Sequence, residues 1–256
     1  MGNPFQKRTG LLLFFFVIPL WILMGCGATA SRPPSVAAFM ADSDRGQGTN
    51  FFANYSYHFG DLQNSERINF DGEGFYPKFK QDEWSHMISS GVWFPISYVR
   101  IGSSLQGGAP VFHVGGAFPY GGAFVWFPLL VKNDSTVRSD LNSRGYNVPT
   151  YVFQGGIRFI QQWPISSDWR VGIAEHISRN AYERYYQDYC LGYGGTCSYP
   201  AAEGYTEWGL GAYVTSYLLG KVAFSLEFRY GNEWDSSHQR FALEFVLDVL
   251  PHRKRQ

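Results

Sequence analysis

Residues 222–230 read Val-Ala-Phe-Ser-Leu-Glu-Phe-Arg-Tyr, and residues 241–249 read Phe-Ala-Leu-Glu-Phe-Val-Leu-Asp-Val. Val222, Phe224, Leu226, Phe228 and Tyr230 share one side of a period of two. Phe241, Leu243, Phe245, Leu247 and Val249 do the same. Glu227, Arg229, Glu244 and Asp248 fall on the opposite side. Successive strand side chains point to opposite faces, so each stretch reads as a strand that is apolar on one face and charged on the other.

The pattern extends toward the N-terminus. Tyr151, Phe153, Ile157 and Phe159 share a face, as do Trp169, Val171, Ile173 and Ile177, and Trp208, Leu210, Ala212, Val214 and Leu218. The earliest clear example is Phe51, Ala53, Tyr55, Tyr57 and Phe59, with Asn54, Ser56 and His58 on the other side. In all, the spacing predicts about ten strands, near 51–59, 83–94, 97–105, 110–118, 122–130, 149–163, 168–179, 205–218, 221–230 and 238–250. Long polar connections at 60–82, 131–148, 180–204 and 231–237 alternate with short turns, apart from a brief link at 106–110. An even number of strands with long loops on one side predicts an all-β fold, an antiparallel up-and-down β-barrel spanning residues 50–250. A soluble sandwich has no reason to sort its loops this way. Trp84, Trp93, Trp163, Trp169 and Trp208 fall near predicted strand ends, where an aromatic girdle would place them.

Composition agrees. Aromatic residues make up 18% of the 256, charged residues only 16%, and formal net charge is zero. That balance excludes nucleic acid as a partner, which requires a basic face. Membrane lipid is the partner expected instead.

Residues 1–25 read as a signal peptide. Lys7 and Arg8 precede an apolar run, Leu11 to Leu23, of signal-peptide length and short for a membrane helix. Leu23-Met24-Gly25-Cys26 resembles the lipobox of bacterial lipoproteins, which implies acylation of Cys26; ordinary cleavage after Ala28-Thr29-Ala30 is the alternative. Residues 26–49, with Pro33-Pro34, Ser, Ala and Gly and no periodicity, read as a flexible tether, and residues 251–256 as a basic tail. Cys190 and Cys197 remain as an even pair in an exported chain and predict a disulfide. With no His or third Cys near them, no metal site is expected, and no cofactor motif stands out.

The charged faces of the last five strands carry Arg158, Arg170, His176, Ser178, Glu207, Glu227, Arg229, Arg240, Glu244 and Asp248. Mixed signs at alternating positions suit a lumen filled by paired side chains. Within this set, His176 and Ser178 share a face, and Glu207 on the next strand could orient the histidine; the three could serve as base, nucleophile and acid, with Glu203 as a second acid. His176-Ile177-Ser178-Arg179-Asn180-Ala181 resembles the His-x-Ser-Asn-Ala motif of outer-membrane lipid A deacylases of the acyloxyacyl hydrolase family, over residues 155–181. Here Arg179 interrupts the motif. The resemblance implies Ser178 as nucleophile and His176 as base.

The reading from sequence is therefore an outer-membrane barrel with a structural or surface-binding role, meeting an extracellular ligand through loops 60–82 and 180–204. The alternatives are a lipid esterase and a soluble, lipocalin-like carrier anchored by Cys26. The first test concerns the anchor. Cys26→Ser should abolish incorporation of labelled fatty acid and leave precursor uncleaved; a mature N-terminus at Ser31 would assign the ordinary cleavage site instead.

Overall fold

The computed structural model describes residues 32–41, 43, 49–61, 78–81, 86–106, 109–128, 131–189, 196–218, 222–234 and 238–249. Ten long strands form the wall: Asn50–Gly60 (β1), His86–Ile96 (β3), Val99–Gln106 (β4), Ala109–Phe118 (β5), Gly121–Pro128 (β6), Gly155–Pro164 (β9), Trp169–Tyr189 (β10), Thr196–Leu218 (β11), Val222–Glu233 (β12) and Gln239–Val249 (β13). Every neighbouring pair is antiparallel, β1 pairs with β13, and the pairing of β10 with β11 closes the ring. The predicted fold class and all ten strands are borne out, with shifts of a few residues at most boundaries.

Polarity runs apolar outward and polar inward. Phe159, Phe224 and Phe245 are each about half exposed, at 52%, 49% and 52%, whereas Arg158, Glu227 and Glu244 on the alternate positions are at most 2% exposed. Exposed Ile88, Ile101, Phe112, Val125, Phe127, Ile173, Leu210, Leu226 and Leu247 carry the apolar surface around the barrel. A strand climbs ~3.3 Å per residue, so about ten residues tilted by ~40° rise ~25 Å, the height of an outer-membrane hydrocarbon band. A carrier that holds an apolar ligand would have the reverse polarity, so the lipocalin-like alternative is not favoured.

Three expectations need correction. Part of the supposed tether is an interior element: Arg32 to Ala41 are all buried, and Val36–Met40 form a short helix (α1) capped by the Ser35 hydroxyl, which accepts from the Ala38 N–H. Pro-Pro and small residues look like a linker when read alone, but they also suit a narrow enclosed path. The 180–204 loop is a continuation of β10 and β11, which stay paired from Asn180–Tyr205 to Tyr189–Thr196, with Lys78–Gln81 (β2) added along the β10 edge. Outside the lipid a strand needs backbone pairing but no apolar face, so the alternation that marks the wall fades there. Finally, Trp93 is not in a girdle; it points inward and is 1% exposed. Trp163, Trp169 and Trp208 do face outward, and Trp84 lies outside the described residues, as do Cys26 and Cys190.

At the loop-bearing end, Ser135–Ser143 form a second helix (α2), capped by Asp134. It packs Leu141 and Val148 on Ala201 of β11. The small ribbon of Val131–Lys132 (β7) and Tyr151–Val152 (β8) closes the same connection, which is why β9 starts at Gly155 rather than 149.

The fold depends on charge compensation inside. Arg158 and Glu227 pair at 2.8 Å, fully enclosed. Glu227→Ala should destabilise the barrel by about 3–5 kcal/mol, because it strands the buried Arg158 charge. An Arg158→Met, Glu227→Leu double variant should lose less than the single one. Denaturant unfolding in detergent or lipid measures both.

Candidate functional site

The lumen is built from two unlike walls. Strands β9 to β13 contribute a charged one. Besides the Arg158–Glu227 pair, Arg229 meets Glu244 at 3.1 Å, and Arg240 lies 3.1 Å from Glu233 and 3.7 Å from Glu207. Asn54 donates to Glu244 at 2.8 Å. The salt-bridged interior expected from sequence is present. Strands β3 to β6 contribute an aromatic wall of Trp93, Phe124 and Trp126, all 1% exposed, with His113 packed on Trp93 and bonded to Ser104 at 3.0 Å.

The segment Arg32–Ala41 fills the space between these walls. Pro33 and Pro34 have no N–H, so this stretch offers carbonyls that must be satisfied without donors of its own. Arg229 donates to the Pro33 carbonyl at 2.9 Å and Arg158 to that of Pro34 at 2.6 Å. The next residues carry free N–H groups at the start of α1, and their partner is an acceptor. Glu227 receives the Ser35 hydroxyl at 3.1 Å and the Val36 and Ala37 N–H groups at 2.9 and 3.4 Å. The carboxylate also sits favourably at the positive end of the helix. On the other wall, the Phe39 ring packs 5.0 Å from Trp93 and 4.6 Å from Phe124, centroid to centroid. Arg100 donates to the Phe39 carbonyl, and Tyr217 to that of Ala41. The carbonyls of Pro33, Pro34, Phe39 and Ala41 and the N–H groups of Val36 and Ala37 thus meet complementary groups on the walls, and sequence reading missed this because no local pattern announces it.

His176, Ser178 and Glu207 lie near the loop-bearing end. His176 Nε2 lies 3.0 Å from a Glu207 carboxylate oxygen, as the pairing of Ser178 with Glu207 across β10 and β11 allows. Ser178 stands two residues along the same face, but its hydroxyl accepts from Asn180 at 3.2 Å, and among the described residues His176 Nδ1 has no hydrogen-bond partner. The structure therefore joins His176 to Glu207 and leaves Ser178 outside that hydrogen bond. All three residues are at most 2% exposed. The side chain of Glu203 is outside the described residues. Among the described residues, no group of three or more His, Cys, Asp or Glu is placed to hold a metal ion.

Gly209 and Gly231 pair across β11 and β12 beside this cluster. A side chain at Gly209 would collide with the Tyr230 carbonyl and the His176 ring, and one at Gly231 with the Glu207 carboxylate. The glycines leave the room that the histidine and carboxylate occupy.

No family model matches the chain, and no curated protein does. Among solved structures it is similar to Neisserial surface protein A, with 11% identity, a TM-score of 0.34, and coverage of 78% of this chain and 94% of that one. It is also similar to the N-terminal β-barrel domain of Pseudomonas aeruginosa OprF (6%, 0.34, 80% and 100%). A third is the translocator domain of the autotransporter NalP from Neisseria meningitidis (8%, 0.37, 83% and 92%). The barrel itself is established by the strand pairing of this chain, independently of those likenesses.

Gly209→Ala should cost about 1–3 kcal/mol of stability, as overpacking against a fixed backbone does. Gly231→Ala should cost less, because the Glu207 carboxylate can swing away. Thermal unfolding of the two variants gives the comparison.

Proposed function

We propose that this chain spans a bacterial outer membrane as a closed barrel and acts through the structure raised on its loop-bearing side, as an anchored surface-binding protein. The observation that carries this reading is a lipid-compatible exterior around a lumen occupied by the chain itself. Arg32–Ala41 block the axis where a channel would have to conduct. The short turns, such as Ser97–Tyr98 and Ile165–Asp168, would face the periplasm, and the long connections the outside.

The binding surface is best sought on the sheet of β2, β10 and β11 that rises beyond the wall. Its sequence holds Tyr182, Tyr185, Tyr186, Tyr189 and Tyr199. Tyrosine supplies large amphipathic contact area at low entropic cost, which is why binding surfaces use it. A disulfide between Cys190 and Cys197 would hold the tip, and acylation of Cys26 would add a second anchor to the barrel.

A lipid esterase is a second reading, because His176 and Glu207 lie 3.0 Å apart, as the base and the acidic partner of a nucleophilic unit would. Burial counts against it: an ester would have to enter a filled lumen to reach Ser178.

The purified protein in planar bilayers should pass no steady ion current, and trypsin added to intact cells should cut at Arg144, exposed in the turn after α2, while the barrel stays folded. A stable open conductance would overturn the surface-binding reading in favour of a channel. Release of fatty acid from lipid A or phospholipid, lost in Ser178→Ala, would replace it with the esterase.

A further inference from the structure

The buried segment has a direction. Arg32 is held at the loop-bearing end. Its N–H donates to Gln106 at 3.0 Å, and its guanidinium reaches Tyr205 at 3.4 Å. Gln106 is the last residue of β4 before the 107–108 link, and Tyr205 lies where β11 leaves the wall. Pro33, Pro34 and Ser35 then meet Arg229, Arg158 and Glu227 at mid-height. Ala41 reaches Tyr217, next to the end of β11, and Ser43 accepts from Gln162, which also donates to the Pro119 carbonyl in a short turn. The chain then enters β1 at Asn50, at that same short-turn end. The segment therefore traverses the barrel from the loop-bearing mouth to the opposite one.

We propose that the chain is threaded through its own barrel, so that its mature N-terminus, and Cys26 where the lipobox resemblance implies acylation, stand on the loop-bearing face, opposite the C-terminal end of β13. This rests on the outer-membrane orientation proposed above. Cys26 precedes Arg32 by six residues, a reach of at most ~20 Å when fully extended. That is enough to bring an acyl group over the rim into the leaflet on the loop side. It falls short of the far leaflet, since the ~25 Å apolar band separates the two and the lumen route is already filled. The lipid would thus pin the surface end of the molecule, and the threaded segment would tie that pin to the charged wall.

The test inserts an epitope between Ser31 and Arg32, downstream of both candidate cleavage sites. A second protein carries the epitope after Gln256, and trypsin cutting at Arg144, in the turn after α2, reports which side the loops face. Retention of folded mobility on unheated gels shows that the tagged barrels are intact. If the insertion prevents folding, Ser31→Cys, labelled with a membrane-impermeant maleimide against the wild-type background, takes its place. The expected result is full labelling at position 31 in intact cells, with no gain on permeabilising the outer membrane, and loss of the tag to external protease. The C-terminal tag should be labelled only after permeabilisation. Labelling at position 31 that appears only after permeabilisation, with Arg144 still cut from outside, would overturn the threading and leave the surface-binding reading intact. If Arg144 were also protected and the C-terminal tag exposed, the orientation and the threading would both fall.

Discussion

A barrel strand that turns one face to lipid must turn the other inward, and everything placed inward is then cut off from bulk water. In this protein that constraint is met by charge pairing across the lumen, centred on Arg158 and Glu227 at 2.8 Å. Neither group is tolerable alone at that depth. Their pairing leaves each with spare hydrogen-bonding capacity, and both spend it on the same segment: Arg158 on the Pro34 carbonyl, and Glu227 on Ser35 and the N–H groups that follow. The wall and its filling are therefore one network rather than a container and its contents.

Ring size explains why a filling exists. Eight-stranded barrels leave an interior that side chains can occupy by themselves, and interior width grows with strand number. Ten strands leave more space than Trp93, Phe124, Trp126 and the paired ions take up. Ala37, Ala38 and Phe39 occupy what remains, the alanines where little space is left and the phenylalanine against the aromatic wall.

The wall was legible in the sequence because lipid imposes a strict period of two. Val222 to Tyr230 and Phe241 to Val249 could hardly be read another way, and the inward charges came with them. The filling was not legible, because a buried segment of this kind satisfies its polar groups with residues up to 196 positions away, as Pro33 does with Arg229. Pro-Pro suggests a linker only if its surroundings are water. The extension of β10 and β11 escaped for a related reason: beyond the membrane, pairing continues without the apolar face that reveals it. The His176–Glu207 contact was legible from register, whereas the bond from Asn180 to Ser178 depends on side-chain conformation, which spacing does not determine.

The order of residues in the threaded segment fits one direction better than the other. Acceptor-only prolines come first and stand among arginines; the donor-rich start of α1 follows and meets a glutamate; the apolar Phe39 comes last, against the aromatic wall. Reversing the segment would set the α1 N–H groups toward Arg229 and Arg158, which have no acceptor to offer, and would carry the proline carbonyls away from those guanidiniums. Each mismatch would leave a buried polar group without its partner, at about 1–3 kcal/mol apiece. The walls thus select the direction as well as the occupant, which is how a stretch with no periodicity of its own takes a single path through the barrel.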